Sequence, residues 1–387
     1  MRAQARLAVG WCGGRRNGWF TQNITLKTFS ANGITGMLKM QSPDTTGGAG
    51  AHLPHTPPPA LLQALGTAGH VVYMPNPGNI GDELIALSTT DLMERLGMDY
   101  EVYSENKSYP QGTTLVYGGG GLLVGGWNYT PLMELVLQPR WGRVVILPHS
   151  LRGCDDLLQR MDGRFTVFCR EQASLAYCRA RNTAAHFELA HDMALYTDTA
   201  AQPELEELLR QYPRPCIFTR MAERLFAKEG ASIRLSHFYR KTHERMNRHL
   251  RERLYRGAGG AKLAFFMRAD GEAAPGMAGT LPPGAVAMDI ARYGGGNCRL
   301  RHLNRLGVLQ MWHCMRQADI IVTDRLHVGI SAALLGLPCI LADNSYGKIS
   351  GVYEQSLRGQ RGITLCSTAG ELRAAIQPYL PQGQPTL

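Results

Sequence analysis

The strongest constraint on this chain is a texture that repeats along it. Short apolar runs stop at glycine or polar residues, and a helical stretch follows each of them. Val71–Met74 runs into Pro75-Asn76-Pro77-Gly78-Asn79, then a helix over 84–96. Thr113–Tyr117 runs into four glycines at 118–121, and the runs at 144–147 and 165–168 behave alike. Apolar runs of this length suit strands buried on both faces, and their alternation with helices implies a parallel sheet. A helix over 204–211 and Tyr212-Pro213-Arg214-Pro215 then read as a connection. The pattern resumes at 216–219, 263–267, Ile320–Thr323 and 338–342, with helices over 303–317 and 328–335. The expected fold is α/β: two Rossmann-like, doubly wound domains facing a cleft, with ligands at the carboxyl ends of the strands. The expected boundaries are an extension and linker over 1–59, a first domain over 60–202 and a linker over 203–215. A second domain over 216–370 and a tail over 371–387 complete the chain.

Charge narrows the function classes. The 387-residue chain carries a net charge of +10, which raises nucleic acid, a phospholipid surface or an anionic substrate as partners. Its location decides among them. Residues 1–40 hold six Lys/Arg and no Asp or Glu, and residues 228–256 hold nine Lys/Arg against three Glu, so the rest of the chain sums to −2. The first 40 residues lack the apolar stretch of a secretory signal; Arg-rich and acid-free, they read as an extension, as lead-in to a start at Met37 or Met40, or as an organelle transit segment. No run of about 18 apolar residues predicts a transmembrane helix. The nine cysteines show no CxxC or other metal-like spacing, so they read as core thiols of a reducing compartment, by default the cytosol. No metal and no cofactor is expected.

Four strand ends carry chemistry. In Asn79-Ile80-Gly81-Asp82-Glu83, two nearby glycines permit a tight turn before a helix N-terminus able to face an anion; Asp82 is equally the N-terminal capping residue of that helix. The glycines at 118–121, Gly119 and Gly120 among them, let either a ligand or another backbone approach, and no full GxGxxG accompanies them. Arg268, Asp270 and Glu272 alternate after the run at 263–267, as an anion site or as a surface ion pair. The fourth end is the strongest: Asp324-Arg325-Leu326-His327 at a strand-to-helix switch. Here a guanidinium fork suits carboxylate or phosphate, and a histidine can transfer protons near neutral pH. Asn344, Ser345 and Lys348 follow the next strand and should reach the same cleft.

Taken in order, these segments resemble the polysaccharide pyruvyl transferase family. Besides the four strand ends, Phe168-Cys169-Arg170-Glu171-Gln172-Ala173-Ser174, His191-Asp192-Met193-Ala194-Leu195, and the run from Asp343 to Lys348 with Val352-Tyr353-Glu354 match the family pattern. The match extends over about 71–356, and the family usually has Asp where this chain has Glu171. The resemblance implies a fold like the B-type glycosyltransferases, with the first domain on the acceptor side and the second on the donor side. It also implies phosphoenolpyruvate as donor co-substrate and a sugar diol of an exopolysaccharide, or of its lipid-linked precursor, as acceptor. The product would be a cyclic pyruvate ketal plus phosphate. Arg325, Leu326 and His327 map onto the family's donor site; Arg268 and Lys348 are added because a trianionic donor needs more than one cation. His327 and Asp82 are the expected catalytic pair, while Asn79, Glu83, Gly119, Gly120, Asp270, Glu272, Asn344 and Ser345 would line the acceptor side or the cleft.

Other classes compete. A nucleotide-sugar glycosyltransferase would use the same architecture, and so would a non-catalytic glycan- or anion-binding protein, since fold does not fix function. The basic stretch 228–256 carries Leu235, Phe238, Met246, Leu250 and Leu254 at roughly helical spacing. It reads either as a solvated helix face or as a peripheral contact with the inner face of the cytoplasmic membrane. Nucleic acid is not expected, because no reader motif with interleaved aromatics is present.

Overall fold

The computed structural model describes residues 53–67, 69–125, 129–211, 229–270, 273, 278–296, 298–344 and 347–381, with the backbone alone for 211 and 229–239. The sequence-predicted extension over 1–40, the Tyr212–Pro215 connection (212–215), the strand at 216–219, Glu272 and Ser345 lie outside the described residues.

The first sheet has six parallel strands in the order β2-β1-β3-β4-β5-β6. They are β1 Val71–Met74, β2 Tyr100–Val102, β3 Thr113–Tyr117, β4 Trp141–His149, β5 Phe165–Cys169 and β6 His186–Leu189. The chain winds outward in both directions from β1 and β3, so the crevice beyond their carboxyl ends is the topological switch point where ligands bind in such sheets. The second sheet is mixed, in the order β11-β10-β9-β8-β7. Its strands β8 Lys262–Phe266, β9 Ile320–Thr323, β10 Cys339–Ala342 and β11 Ile363–Cys366 are parallel, and β7 Tyr255–Arg256 adds antiparallel at the edge.

Helices cover the sheets. The first sheet carries α1 Pro59–Gly66, α2 Ile80–Arg95, α3 Thr130–Val136, α4 Asp155–Arg160 and α5 Gln172–Arg179, then a short 3₁₀ turn, Met193–Tyr196, and α6 Leu205–Gln211. The second part carries α7 Glu229–Arg253, α8 Arg301–Met315, α9 Leu326–Leu335, α10 Lys348–Val352 and α11 Ala369–Ile376. Residues 49–387 form one compact unit by backbone contacts.

α2 ties the two sheets together. Thirteen of its 16 residues are buried, so it has no solvent face and no strong amphipathic pattern, as expected of a helix packed on all sides. Its middle, Ser88-Thr89-Thr90, would weaken a solvated helix. Here Thr89 and Thr90 donate to the Ile85 and Ala86 carbonyls at 2.8 and 2.9 Å, and Ser88 donates to the Met193 carbonyl, so no hydroxyl is left wanting. α2 packs along α8, and one continuous apolar cluster includes Tyr73 and Val145 of the first sheet and Phe266 and Ile321 of the second. Polar clamps reinforce the join. Asp91 accepts from Arg301 Nε at 2.8 Å, Arg305 Nη2 at 3.2 Å and Gln202 Nε2 at 2.9 Å.

The seven described cysteines are unpaired and buried. In α7, Met246 and Leu250 of the sequence-predicted stripe are buried. Part of its basic face is already engaged: Arg240 donates to the Leu209 carbonyl and Arg245 lies over the Tyr293 ring at 5.2 Å. Among the described residues no helix is long and apolar enough to cross a membrane.

A shared core makes a specific prediction. Leu84→Ala, at a fully buried α2 position, should cost about 2–5 kcal/mol. Because α2 serves both sheets, urea unfolding followed by circular dichroism and by tryptophan fluorescence should stay a single coincident transition; two separated transitions would contradict it.

Candidate active site

The carboxyl ends of both sheets open on one cavity of about 170 Å³. From the first sheet it is lined by Asn76 to Asp82 after β1, Gly121 after β3 and Arg170 after β5. From the second it is lined by Arg268 and Asp270 after β8, Arg325 to Val328 after β9, and Lys348 at the start of α10. Four cationic side chains therefore face two carboxylates.

Two helix N-termini meet here and are equipped differently. At α2, Asn79 Oδ1 accepts from Gly81 N at 2.8 Å while Asp82 Oδ2 accepts from Asn79 N at 2.9 Å, a reciprocal cap that satisfies the free N–H groups. The N-cap residue is therefore Asn79 and not Asp82 as the sequence suggested: the helix starts at Ile80, so Asp82 is its third residue and closes the cap from within, and it lines the cavity as well. Its other oxygen accepts from Asn76 Nδ2 at 3.0 Å, and Asn76 in turn accepts from the Tyr117 hydroxyl, which fixes the amide orientation. Burial raises the Asp82 pKa above the ordinary carboxylate value, opposed by the charges of His327 and Lys348 and by these hydrogen bonds. At α9 no side chain caps the N-terminus. Val328 N–H already donates to the Arg325 carbonyl, and the positive end of the helix dipole there favours negative charge.

The arginines differ in how they are held. Arg325 grips Asp289 through Nε at 3.1 Å and Nη2 at 2.5 Å, and Nη2 also reaches Asp270 Oδ2 at 2.8 Å. Asp270 also takes Arg268 Nε at 2.7 Å, while the Arg268 backbone N–H donates to Asp324 at 2.7 Å. The predicted Arg268–Asp270 pair exists, and it lies at the cavity wall rather than on open surface. Arg170 is fully buried: Nε donates to Ser150 Oγ at 2.9 Å and Nη1 to Asp192 Oδ2 at 2.7 Å. Its Nη2 has no hydrogen-bond partner among the described residues and lies by Gly121, where an added Cβ would lie 3.2 Å from it and 3.3 Å from Lys348 Nζ. Neighbouring Glu171 is buried, accepting from Ser150 Oγ at 3.1 Å and from Ser174 Oγ, so it braces the Arg170 turn.

His327 stands on the first turn of α9 against Gly81, where a Cβ would fall 2.3 Å from its Nδ1. Only glycine permits that approach. His149, behind the 118–123 loop, is pushed down to about 3, by burial first and by the Arg170 charge second. It is therefore neutral, and its Nε2 accepts from Leu122 N at 3.1 Å and Leu123 N at 3.4 Å, holding the loop that carries Gly121.

Of the sequence-predicted site residues, Asn79, Asp82, Arg268, Asp270, Arg325, Leu326, His327 and Lys348 line this cavity. Four do not. Glu83 is fully buried and accepts from Gly295 N at 2.6 Å and Gly296 N at 3.0 Å, because successive residues on a helix face different ways. Gly119 and Gly120 serve packing: a Cβ would fall 2.7 Å from the Pro148 carbonyl and 2.7 Å from Asn76 Nδ2 respectively, and Gly120 has φ +149°. Asn344 Oδ1 accepts from Lys348 N at 2.8 Å and so shapes the start of α10. Conversely, the residue assignments drawn from sequence omit Arg170, Asp192, Asn76 and Gly121. Asn76, Gly121 and Arg170 follow strands that the sequence shows, and that placement was the signal available; Asp192 follows β6, which the sequence does not show.

An α/β chain with a cavity lined by four cationic side chains at the carboxyl ends of two sheets is the class that the fold and site define. The comparisons make it specific. The family model for polysaccharide pyruvyl transferase matches residues 79–346; the chain belongs to this family and is a transferase. A crystal structure of an uncharacterised protein from Klebsiella pneumoniae subsp. pneumoniae superposes with a TM-score of 0.57 at 25% identity, covering 80% of this chain and 96% of that one. No match is found among curated proteins.

The Asp82 environment has a measurable sign. A carboxyl whose folded pKa exceeds its unfolded value contributes stability below the unfolded pKa, near 4, and loses it as pH rises through the folded pKa. Urea midpoints from pH 4 to 8 should show wild type losing stability relative to Asp82→Asn as pH rises. A relative gain would contradict the raised value.

Proposed function

We propose that this enzyme transfers pyruvate from phosphoenolpyruvate to two hydroxyls of a sugar in an exopolysaccharide or its lipid-linked precursor, forming a cyclic ketal and releasing phosphate. The observation that carries the reading is Arg170 Nη2, a buried guanidinium nitrogen without a partner among the described residues, beside Gly121 in the wall of the same cavity that Arg325 and the N-terminus of α9 line. A small donor with a carboxylate and a phosphate close together matches cations on two walls and the positive end of a helix dipole.

The chemistry follows from the donor. Protonation of its methylene carbon makes C2 oxocarbenium-like, and one sugar hydroxyl attacks there. The C2–O bond to phosphate then breaks, and the second hydroxyl closes the ring. Of the two hydroxyl protons, one ends on the new methyl group and one on phosphate, so the reaction balances without a redox partner. His327 carries protons between these sites, and Arg325, Arg268, Arg170 and Lys348 hold the donor and the departing phosphate. Asp82, across the cavity and with a raised pKa, is suited to accept a proton from an acceptor hydroxyl.

The test is phosphate release that requires both phosphoenolpyruvate and a glycan. Release of a nucleoside diphosphate from a sugar nucleotide, with phosphoenolpyruvate untouched, would overturn the reading. His327→Ala should lower kcat by about 10²–10⁴-fold. Arg325→Ala should raise KM for phosphoenolpyruvate by about 10–100-fold, the loss of charge-assisted hydrogen bonds worth about 1.5–3 kcal/mol.

A further inference from the structure

Asp192 lies just past the edge strand β6, outside the cavity lining, and has no solvent exposure. Its Oδ1 accepts from Ala194 N at 2.9 Å, capping the 3₁₀ turn Met193–Tyr196. Its Oδ2 is shared between two groups of different origin: Arg170 Nη1 at 2.7 Å from the first sheet, and His327 Nε2 at 3.5 Å from α9 on the second. A structural ion pair with Arg170 would need no imidazole beside it. The His327 ring is oriented so that Nε2 is buried on the Asp192 side, with no hydrogen bond formed among the described residues, while Nδ1 lies along Gly81, itself a cavity-lining residue.

We propose that Asp192 is the positioning residue for His327, fixing its neutral ring with the proton on Nε2 and leaving Nδ1 as the nitrogen that exchanges protons in the cavity. The proposal rests on the reading of His327 as the proton carrier. The contact is longer than a good hydrogen bond, as is common before substrate closes a site. Burial pushes the Asp192 pKa up, but the neighbouring His327 imidazole, the Arg170 charge and the Ala194 backbone N–H hold it below the usual carboxylate range. That direction favours Asp192 as a carboxylate acceptor beside His327. When Nδ1 takes a proton from a hydroxyl, the ring becomes imidazolium and Asp192 remains a carboxylate; no proton passes to it, as in other carboxylate–histidine pairs. The remaining charged groups around His327 are Asp82 from α2, Lys348 from α10, and Arg268, Asp270 and Arg325 from the second sheet.

The experiment is a ¹⁵N–¹H correlation spectrum of the imidazoles in the substrate-free wild-type protein, with the His327 signal identified by its loss in His327→Gln. The expected result is a neutral His327 protonated on Nε2; protonation on Nδ1 overturns the proposal. In Asp192→Asn, checked for native circular dichroism, the tautomer preference should be lost. Turnover should fall about 10²-fold or more, with the acidic limb of the pH–rate profile displaced. A native-like variant with unchanged tautomer, turnover and profile also overturns it. Should Asp192→Asn not fold, the wild-type spectrum decides alone. The spectrum uses no substrate, so an Nε2–H tautomer in a protein that ignores phosphoenolpyruvate sinks the functional reading and leaves the dyad. An Nδ1–H tautomer in an active enzyme does the reverse.

Discussion

The site is organised around a guanidinium that has been taken wholly out of water. Burying the Arg170 charge costs several kcal/mol unless it is paired and hydrogen-bonded. The pairing is supplied from neighbouring strand ends: Asp192 after β6 and Ser150 after β4. Those two bonds orient the fork so that Nη2 lies by Gly121 in the cavity wall. Asp192 is pinned in turn by Ala194 N, and Glu171 and Ser174 brace the turn beneath. Such a buried pair is weak evidence for stability and better understood as a means of presenting a charge in a fixed direction.

The second constraint is that two helices end in the same space with unequal caps. Asn79 and Asp82 satisfy α2 from within, so its positive end is already answered by a carboxylate. No side chain caps α9. On the proposed reading an incoming anion would be drawn to the second sheet, where Arg325 and Arg268 stand, and Asp82 would face it from the first. Asp270 and Asp289 hold Arg325 in place meanwhile, which keeps its fork oriented rather than free to collapse into the cavity. The rigid setting comes from α2, whose burial in a core common to both sheets leaves little room for the strand ends to drift.

Much of this was legible in the amino-acid order, and the failures have causes. The central strands were readable because a strand covered on both faces must be apolar throughout, as in Ile320–Thr323. The strands Tyr100–Val102, His186–Leu189 and Ile363–Cys366 were not identified. Each is a sheet edge with mixed exposure, so its sequence alternates weakly and is short. Arg325 and His327 could be read because they abut a strong strand and a strong helix. Arg170 also follows a readable strand, but its burial was not legible, since burial of an arginine depends on Ser150 and Asp192, 20 and 22 residues away. Glu83 shows the opposite error: adjacent to Asp82 in sequence, it turns inward to the Gly295 and Gly296 amides because a helix rotates each successive side chain.

The central claim is that the two hydroxyls of one sugar and C2 of phosphoenolpyruvate become a single ketal in this cavity. The most direct measurement is a mass spectrum, with carbon NMR, of the acceptor glycan after incubation with the enzyme and ¹³C-labelled phosphoenolpyruvate. The account predicts a gain of one pyruvate less one water and a labelled quaternary acetal carbon bearing a methyl group. An unmodified glycan, with the label recovered as free pyruvate or intact donor, would contradict it.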